Sequence, residues 1–252
     1  MIPSTAQFQA LVKNYDTRQE QFFKSRPVQT ETDYFKRAVA QLESVEDVFK
    51  DRRLVKFLAT AVNLPGEEKY PGKMRRILSE DTGNPDAAMN KLSDKRYRQA
   101  ADVLKFGEEG LARLKSAATQ DTLINSYRQQ EFDRSIGQQN PALREALHFQ
   151  KFAAGASDNV WEVLGDPVIR KVVTKTLGIP ERIAFQPLET QAAVINSRLD
   201  ISKLADKEFV DKFINRFLNQ VDLEGRATNQ GPQSWKTSLF SGVRGQSLNL
   251  FA

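Results

Sequence analysis

The chain contains a single histidine, His148, the residue type most often used as a general base or metal ligand near neutral pH. It lies in ALREALHFQKFAAG, a predicted helix in which Arg144, Glu145 and Phe152 are its neighbours at helical spacing. A catalytic or metal-binding histidine needs partners of complementary chemistry, and this helix supplies no obvious set. We therefore expect His148 to be a packed or hydrogen-bonded structural residue.

Other catalytic chemistries find little support in the sequence. There is no cysteine, which excludes disulfides, thiolate metal sites and cysteine nucleophiles. None of the motifs GxxxxGK[ST], GxGxxG, GxSxG or HExxH occurs. The acidic pairs Glu67–Glu68 and Glu108–Glu109 stand in polar stretches beside lysines, so we expect ordinary solvated carboxylates. The sequence thus predicts a protein that is not an enzyme, with no catalytic residue, no metal ligand and no cofactor.

The densest basic stretch consists of Lys69, Lys73, Arg75 and Arg76, with Tyr70 between the two lysines. Cations interleaved with an aromatic side chain can contact a phosphate backbone. This stretch is short and has acids on both sides, so partner docking or plain solvation fits it better than nucleic-acid binding. The whole chain carries a formal charge of +5, but acids interrupt the bases along most of its length, as on solvated helix faces.

The composition changes after about residue 224, where glycine, serine, glutamine and asparagine become frequent. This predicts a flexible C-terminal tail over 225–252 that nonetheless carries large apolar side chains. The candidate partner-binding residues are Trp235, Leu239, Phe240, Leu248, Leu250 and Phe251. Docking onto a partner protein and packing back onto the body of the same chain fit the pattern equally well.

The elements that would position all these residues are helices. From Thr32 to Phe49, apolar residues recur at spacings of three and four, which predicts one helix of about five turns. Asp51 then fits the N-cap of a second helix, which Pro65 would close. Few stretches alternate apolar and polar residues as strands do, so the sequence predicts an all-α fold.

Part of this helical pattern occurs twice in the chain. A shift of 115 residues aligns DRRLVKFLATAVNLP (51–65) with DPVIRKVVTKTLGIP (166–180). The alignment keeps the capping aspartate, the closing proline and the apolar face, and it places Lys56 on Lys171. We therefore expect a tandem duplication of a helical unit of roughly 110–115 residues, folded as two pseudo-equivalent lobes.

The repeat also predicts a division of the chain. A shift of 112 places KLSDKRY (91–97) on KLADKEF (203–209), so the second copy lacks three residues in an intervening loop. On this alignment the first helical repeat covers 1–110, the second covers 111–224, and the tail covers 225–252.

The sequence also bears on location. No run approaches the roughly 18 apolar residues of a membrane span, and the start, MIPSTAQFQALVKNYDTRQ, lacks the basic and apolar regions of a signal peptide. We expect a cytoplasmic protein, or one exported without a cleaved signal peptide.

Several segments together resemble an uncharacterised bacterial helical family, domain-of-unknown-function family 1217. They are YRQQEFDRSIGQQNPALREALHFQKF (127–152), LGDPVIRKVVTKTLGIP (164–180), FVDKFINRFL (209–218) and the ending SLFSGVRGQSLNLFA. The most specific part is an Asn-Pro-x-x-Arg-x-Ala-Leu-x-Phe core formed by Asn140, Pro141, Arg144, Ala146, Leu147 and Phe149. Members of that family often carry repeated copies of the unit and are found encoded among flagellar genes in some bacteria.

The resemblance implies a flagellum-associated role but carries no catalytic residues. The function it suggests is a non-enzymatic structural or assembly protein that binds a flagellar component through protein–protein contacts. Export by the flagellar route would need no cleaved signal. The alternative is a cytoplasmic regulator or chaperone that binds a flagellar component or, through the basic stretch, a nucleic acid.

Overall fold

The computed structural model describes residues 2–92 and 94–229. Its α-helices, in chain order, are α1 (Ser4–Lys13), α2 (Tyr15–Phe23), α3 (Arg26–Gln41), α4 (Val45–Lys50), α5 (Arg52–Ala61), α6 (Pro71–Leu78), α7 (Ala88–Lys91), α8 (Arg96–Leu104), α9 (Phe106–Glu109), α10 (Ala112–Lys115), α11 (Ala117–Gln139), α12 (Pro141–Phe152), α13 (Val160–Gly165), α14 (Pro167–Thr176), α15 (Leu188–Asn196) and α16 (Lys207–Asn229). Short 3-10 helices are η1 (Glu67–Lys69), η2 (Ala153–Ala156), η3 (Glu181–Phe185) and η4 (Ile201–Ala205). No described residue lies in a strand, so the all-α prediction is confirmed.

Local polar contacts fix where several helices begin. At the start of α5, the Asp51 carboxylate accepts the N–H groups of Arg53 at 2.9 Å and Leu54 at 3.0 Å, as the sequence predicted. Proline opens α6, α12 and α14. Proline suits this position because the first N–H of a helix has no partner within the helix.

The prediction of one continuous helix over Thr32–Phe49 is wrong, because α3 and α4 are separate helices on either side of Ser44. The Asp47 carboxylate accepts both the N–H of Ser44, at 2.9 Å, and its hydroxyl, at 2.8 Å. This capping box starts a new helix. The apolar spacing continues across the break through the buried Leu42, and it therefore gave no sign of the interruption.

The chain forms two compact units. Of the described residues, 11–139 form the central unit, and the terminal unit combines 2–10 with 140–229. Residues 111–139, which the repeat alignment assigns to the second copy, thus belong to the central unit. The boundaries of the two repeats stay a prediction about the sequence, and the compact units divide the chain differently.

The central unit is built around α5, which packs along α11 and also contacts α3 and α4. Three aromatic rings form the middle of its core. Phe57 of α5 stacks on Phe35 of α3, with 4.3 Å between ring centroids, and on Tyr127 of α11, with 4.1 Å. All three side chains are buried, so this column of rings joins the three helices.

The terminal unit packs α12, α14 and α16 against one another. Phe149 of α12 stacks on Phe213 of α16 with 5.4 Å between centroids. The N-terminal segment is bound to this unit by Ser4, whose N–H and hydroxyl donate to the two carboxylate oxygens of Asp222 at 2.8 and 2.6 Å. The side-chain amide of Asn140 donates to the same hydroxyl at 3.0 Å.

The two aligned segments have the same local structure. Helices α5 and α14 have the same length and begin at positions 115 residues apart. Each ends before a residue of positive φ, Asn63 at 58° and Gly178 at 63°. The residue that follows donates its N–H to the carbonyl five residues earlier, at 2.7 and 2.8 Å respectively. These matches support the predicted duplication, which itself stays a prediction.

Over the described ranges, no helix has both the length and the apolar character that crossing a bilayer requires.

Candidate functional site

His148 stabilises a helix start in the terminal unit. Its Nε2 lies 2.6 Å from Oδ2 of Asp166, the N-cap residue of α14. The other oxygen of Asp166 accepts the N–H groups of Val168 at 2.8 Å and Ile169 at 3.0 Å. The hydrogen-bonded role expected for His148 is therefore the one that the structure gives it.

The central unit contains the same arrangement with a different aromatic side chain. There the hydroxyl of Tyr34 donates to Oδ2 of Asp51, whose Oδ1 caps α5. Tyr34 and His148 both reach the capping aspartate from the preceding long helix, α3 in one unit and α12 in the other. Because a tyrosine makes the same kind of contact in the central unit as His148 makes in the terminal unit, we interpret both contacts as part of the fold.

Removal of either capping aspartate should destabilise its own unit. We expect Asp51→Ala and Asp166→Ala each to lower the free energy of unfolding by about 1 to 2 kcal/mol, because two helix N–H groups and one aromatic side chain lose their acceptor. Chemical denaturation followed by circular dichroism, with hydrogen exchange to assign the unit affected, measures this loss. Equal protection of the α14 amides in wild type and Asp166→Ala would contradict the assignment.

The same aspartate gives this contribution a pH dependence. Burial alone would raise the pKa of Asp166, but the hydrogen bonds from the Ile169 N–H and His148 outweigh it and hold the pKa below its usual value of 3.8. Wild type should therefore have a higher free energy of unfolding than Asp166→Asn. This difference should be complete above about pH 4 and should vanish as the pH falls through the lowered pKa of Asp166.

The paired acids named in the sequence make local contacts. Glu67 forms an ion pair with Lys73, with 2.9 Å between Oε2 and Nζ, and Glu68 accepts the Gly66 N–H at 2.6 Å. The hydrogen bond from Thr82 lowers the pKa of Glu108. The contacts of Glu67 and Glu108 lower the pKa of both carboxyl groups and so stabilise their charged form, the opposite of what a general acid requires.

The predicted basic stretch lies on η1 and α6. Lys73 is ion-paired with Glu67, whereas Lys69, Arg75 and Arg76 are exposed and form no ion pair with a described residue. Tyr70, between the two lysines in the sequence, is an exposed aromatic whose side chain is 60% accessible. The structure thus leaves three of the four predicted basic residues and the tyrosine exposed, and it directs Lys73 to Glu67 and to the ring of Tyr97, whose centroid is 4.8 Å from Nζ.

Phe185 in the terminal unit, which the sequence interpretation missed, is the most exposed large hydrophobic residue in the described part of the chain, with 89% of its surface accessible, ahead of Trp161 at 50% and Phe152 at 45%. It stands 115 residues after Tyr70, so the repeat alignment superposes the two. Each aromatic ends or directly follows a 3-10 helix, and a proline comes one or two residues later, at the start of an α-helix. Extending the alignment beyond Pro65 and Pro180 would have paired Tyr70 with Phe185.

The surroundings of Phe185 are also exposed. Leu188, which opens α15, is 51% accessible, and every residue from Pro180 to Thr190 is exposed except Ile183, which is partly buried. An isolated exposed apolar residue is common in proteins, but Tyr70 and Phe185 also occupy positions that the repeat alignment superposes. We call these two loops, 66–72 and 181–188, the aromatic loops. The tail residues predicted to bind a partner, from Trp235 to Phe251, lie outside the described residues.

Comparison with known proteins identifies the family. A family model described as "Protein of unknown function (DUF1217)" matches residues 67–210, more than half of the chain. The solved structure of protein AGR_C_984 from Agrobacterium tumefaciens is similar to this chain, with a TM-score of 0.67 and 25% sequence identity over 92% of this chain and 96% of that one. No curated protein matches the chain. The family resemblance noted in the sequence is therefore confirmed, and this chain belongs to the DUF1217 family of proteins of unknown function.

Proposed function

We propose that this protein acts without catalysis, as a protein-binding structural or assembly component associated with the bacterial flagellum. The proposal is supported by the exposure of two aromatics, Tyr70 and Phe185, at positions that the predicted repeat superposes. Large aromatic side chains contribute strongly to protein interfaces because they bury much surface at little cost in conformational entropy.

The charges around the two aromatics favour a protein partner over a nucleic acid. The loop of Tyr70 carries Lys69 beside the acids Glu67 and Glu68, and the loop of Phe185 carries Arg182 beside Glu181, so neither loop has an excess of positive charge. A phosphate backbone would require positive charge at both loops. The shared feature of the two loops is the aromatic ring, which suits a pair of apolar pockets on a protein partner. The flagellar part of the proposal rests on the gene neighbourhood of the family.

The proposal predicts that Tyr70→Ser/Phe185→Ser impairs function without unfolding the protein. Each substitution removes an exposed ring, so we expect little change in stability but about a tenfold loss of partner affinity per site. A deletion strain complemented with this variant should swim poorly, and less of the protein should co-purify with basal bodies. Leu223→Ser, at a residue that is 59% exposed on α16, is the matched control.

The cellular location of the protein distinguishes the proposed structural or assembly role from the alternative, a cytoplasmic regulator or chaperone. Immunoblots of cytoplasm, purified basal bodies and culture medium are compared between wild type and a strain that lacks the flagellar export ATPase. Protein outside the cytoplasm only in the wild type supports a structural or assembly role. Cytoplasmic retention in both strains, with full swimming of Tyr70→Ser/Phe185→Ser, contradicts it and favours a regulator or chaperone. Salt-sensitive oligonucleotide binding that is lost in Arg75→Ala/Arg76→Ala would assign the basic stretch to a nucleic acid.

A further inference from the structure

The central unit contains a groove between the start of α3, helix α5 and helix α11. Its volume is about 670 Å³, within the range of sites that hold small molecules or a few peptide side chains. Its buried lining residues, which form the floor, are Val28, Phe57 and Tyr127. More exposed side chains form the rim: Phe22, Ser25, Arg26, Pro27, Thr30, Glu31, Arg53, Lys56 and Glu131.

The rim carries a net positive charge that the protein does not neutralise. Glu31 is held by two hydrogen bonds from the Arg53 guanidinium, at 2.9 and 3.1 Å. Glu131 is ion-paired with Arg134 at 3.0 Å. Both rim acids are therefore occupied, whereas Arg26 and Lys56 form no ion pair with a described residue. Two cations beside an apolar floor remain available to a ligand.

The terminal unit shows why Lys56 lacks a partner. The repeat alignment pairs Lys56 with Lys171, and in the terminal unit Lys171 is ion-paired with Glu145 of α12. In the central unit Glu31 of α3, which a shift of 114 residues pairs with Glu145 as it pairs Tyr34 with His148, is bound by Arg53 instead. The position of Arg53 is valine in the second copy, at residue 168, so that copy has no arginine at this position to compete with its lysine. The unpaired charge is thus a feature of the central unit alone.

We propose that this groove binds an acidic segment of a partner protein, with an apolar side chain against Phe57 and Tyr127 and carboxylates paired with Arg26 and Lys56. Charge complementarity selects this occupant. The chain's own tail is a poor candidate, because residues 230–252 contain Lys236 and Arg244 and no acid. A nucleic acid would satisfy the cations but would leave the apolar floor without a complementary surface.

The inference concerns a surface separate from the aromatic loops and is tested without them. A phage-displayed library of random peptides of about twelve residues is selected on the full-length protein and counter-selected on Arg26→Glu/Lys56→Glu. We expect the retained peptides to combine several Asp or Glu residues with at least one large apolar residue. The best peptide, labelled with fluorescein, is then measured by fluorescence anisotropy.

The matched control is Lys36→Glu/Arg52→Glu, which changes the net charge equally at exposed residues of α3 and α5 outside the groove. We expect the peptide to bind this control as it binds wild type and to bind Arg26→Glu/Lys56→Glu at least about tenfold more weakly. The peptide should also bind Tyr70→Ser/Phe185→Ser as it binds wild type. The test of the groove therefore does not depend on whether the aromatic loops bind a partner. Circular dichroism melts verify that each variant is folded.

Three outcomes would overturn the inference. One is a selection that yields no peptide dependent on Arg26 and Lys56. Another is enrichment of basic or uncharged peptides. The third is displacement of the peptide by a single-stranded oligonucleotide whose own binding is lost in Arg26→Glu/Lys56→Glu. That result would assign the groove to a nucleic acid.

Discussion

Gly107→Ala is expected to lower the free energy of unfolding of the central unit by about 3 kcal/mol. A Cβ atom at Gly107 would lie 2.4 Å from both the carbonyl carbon and the carbonyl oxygen of Glu80, and 2.6 Å from the nitrogen of Asp81. These are backbone atoms, so the clash cannot be relieved by rotation of a side chain. One of the two segments must move.

Neither segment can move without loss of other contacts. The Glu108 carboxylate accepts both the N–H and the hydroxyl of Thr82, directly beside the tight approach. The Glu80 carboxylate accepts the N–H of Ala88, and this hydrogen bond joins the segment 80–82 to α7. Displacement of the Glu80–Asp81 peptide would therefore strain two further sets of hydrogen bonds, which makes the expected loss larger than for a simple overpacked site.

Gly72→Ala is the matched control for this prediction. Gly72 lies in α6 of the same unit, and a Cβ there would meet no atom within 4 Å. We expect Gly72→Ala to leave the stability unchanged or to raise it by up to about 1 kcal/mol, since alanine restricts the unfolded chain. Denaturant titration by circular dichroism, with hydrogen exchange of the 11–139 peptides, compares the two. Equal stability of both variants would show that the close approach at Gly107 is absent.

Features that depend on local sequence could be predicted. Asp51 was identified as an N-cap because capping requires a short polar side chain directly before an apolar helical run. The repeat identified Asp166 in the same way. The sequence does not predict the break at Ser44, because the apolar spacing continues through it. Such spacing indicates which side chains face the core, but it does not indicate whether the helix is continuous.

Features that depend on distant contacts could not be predicted. The bonds between Ser4 and Asp222 join residues 218 positions apart, so nothing in either local sequence signals them. The exposure of Phe185 depends on which elements leave it uncovered. The free charge of Lys56 depends on competition between α5 side chains for one glutamate of α3. The groove could therefore be recognised only once the helices were placed together.

The largest single loss of stability that we expect in the core follows from Phe57→Ala. Phe57 is only 1% exposed and lies between Phe35 and Tyr127, with interplanar angles of 12° and 17°. Alanine would remove the middle ring, end both stacking contacts and leave a cavity where α3, α5 and α11 meet. Large-to-small replacement of a buried phenylalanine costs about 3 to 5 kcal/mol, which denaturant unfolding measures directly.

Phe57→Leu is the informative companion, because leucine fills most of the space but cannot stack. We expect it to cost only about 1.5 kcal/mol and to leave the central unit folded. Phe57 is also part of the floor of the groove, so a folded Phe57→Leu protein should bind the selected acidic peptide more weakly than wild type, although Arg26 and Lys56 are intact. Unchanged binding would mean that the peptide contacts the charged rim alone. The two measurements therefore separate the contribution of this ring to the fold from its contribution to recognition.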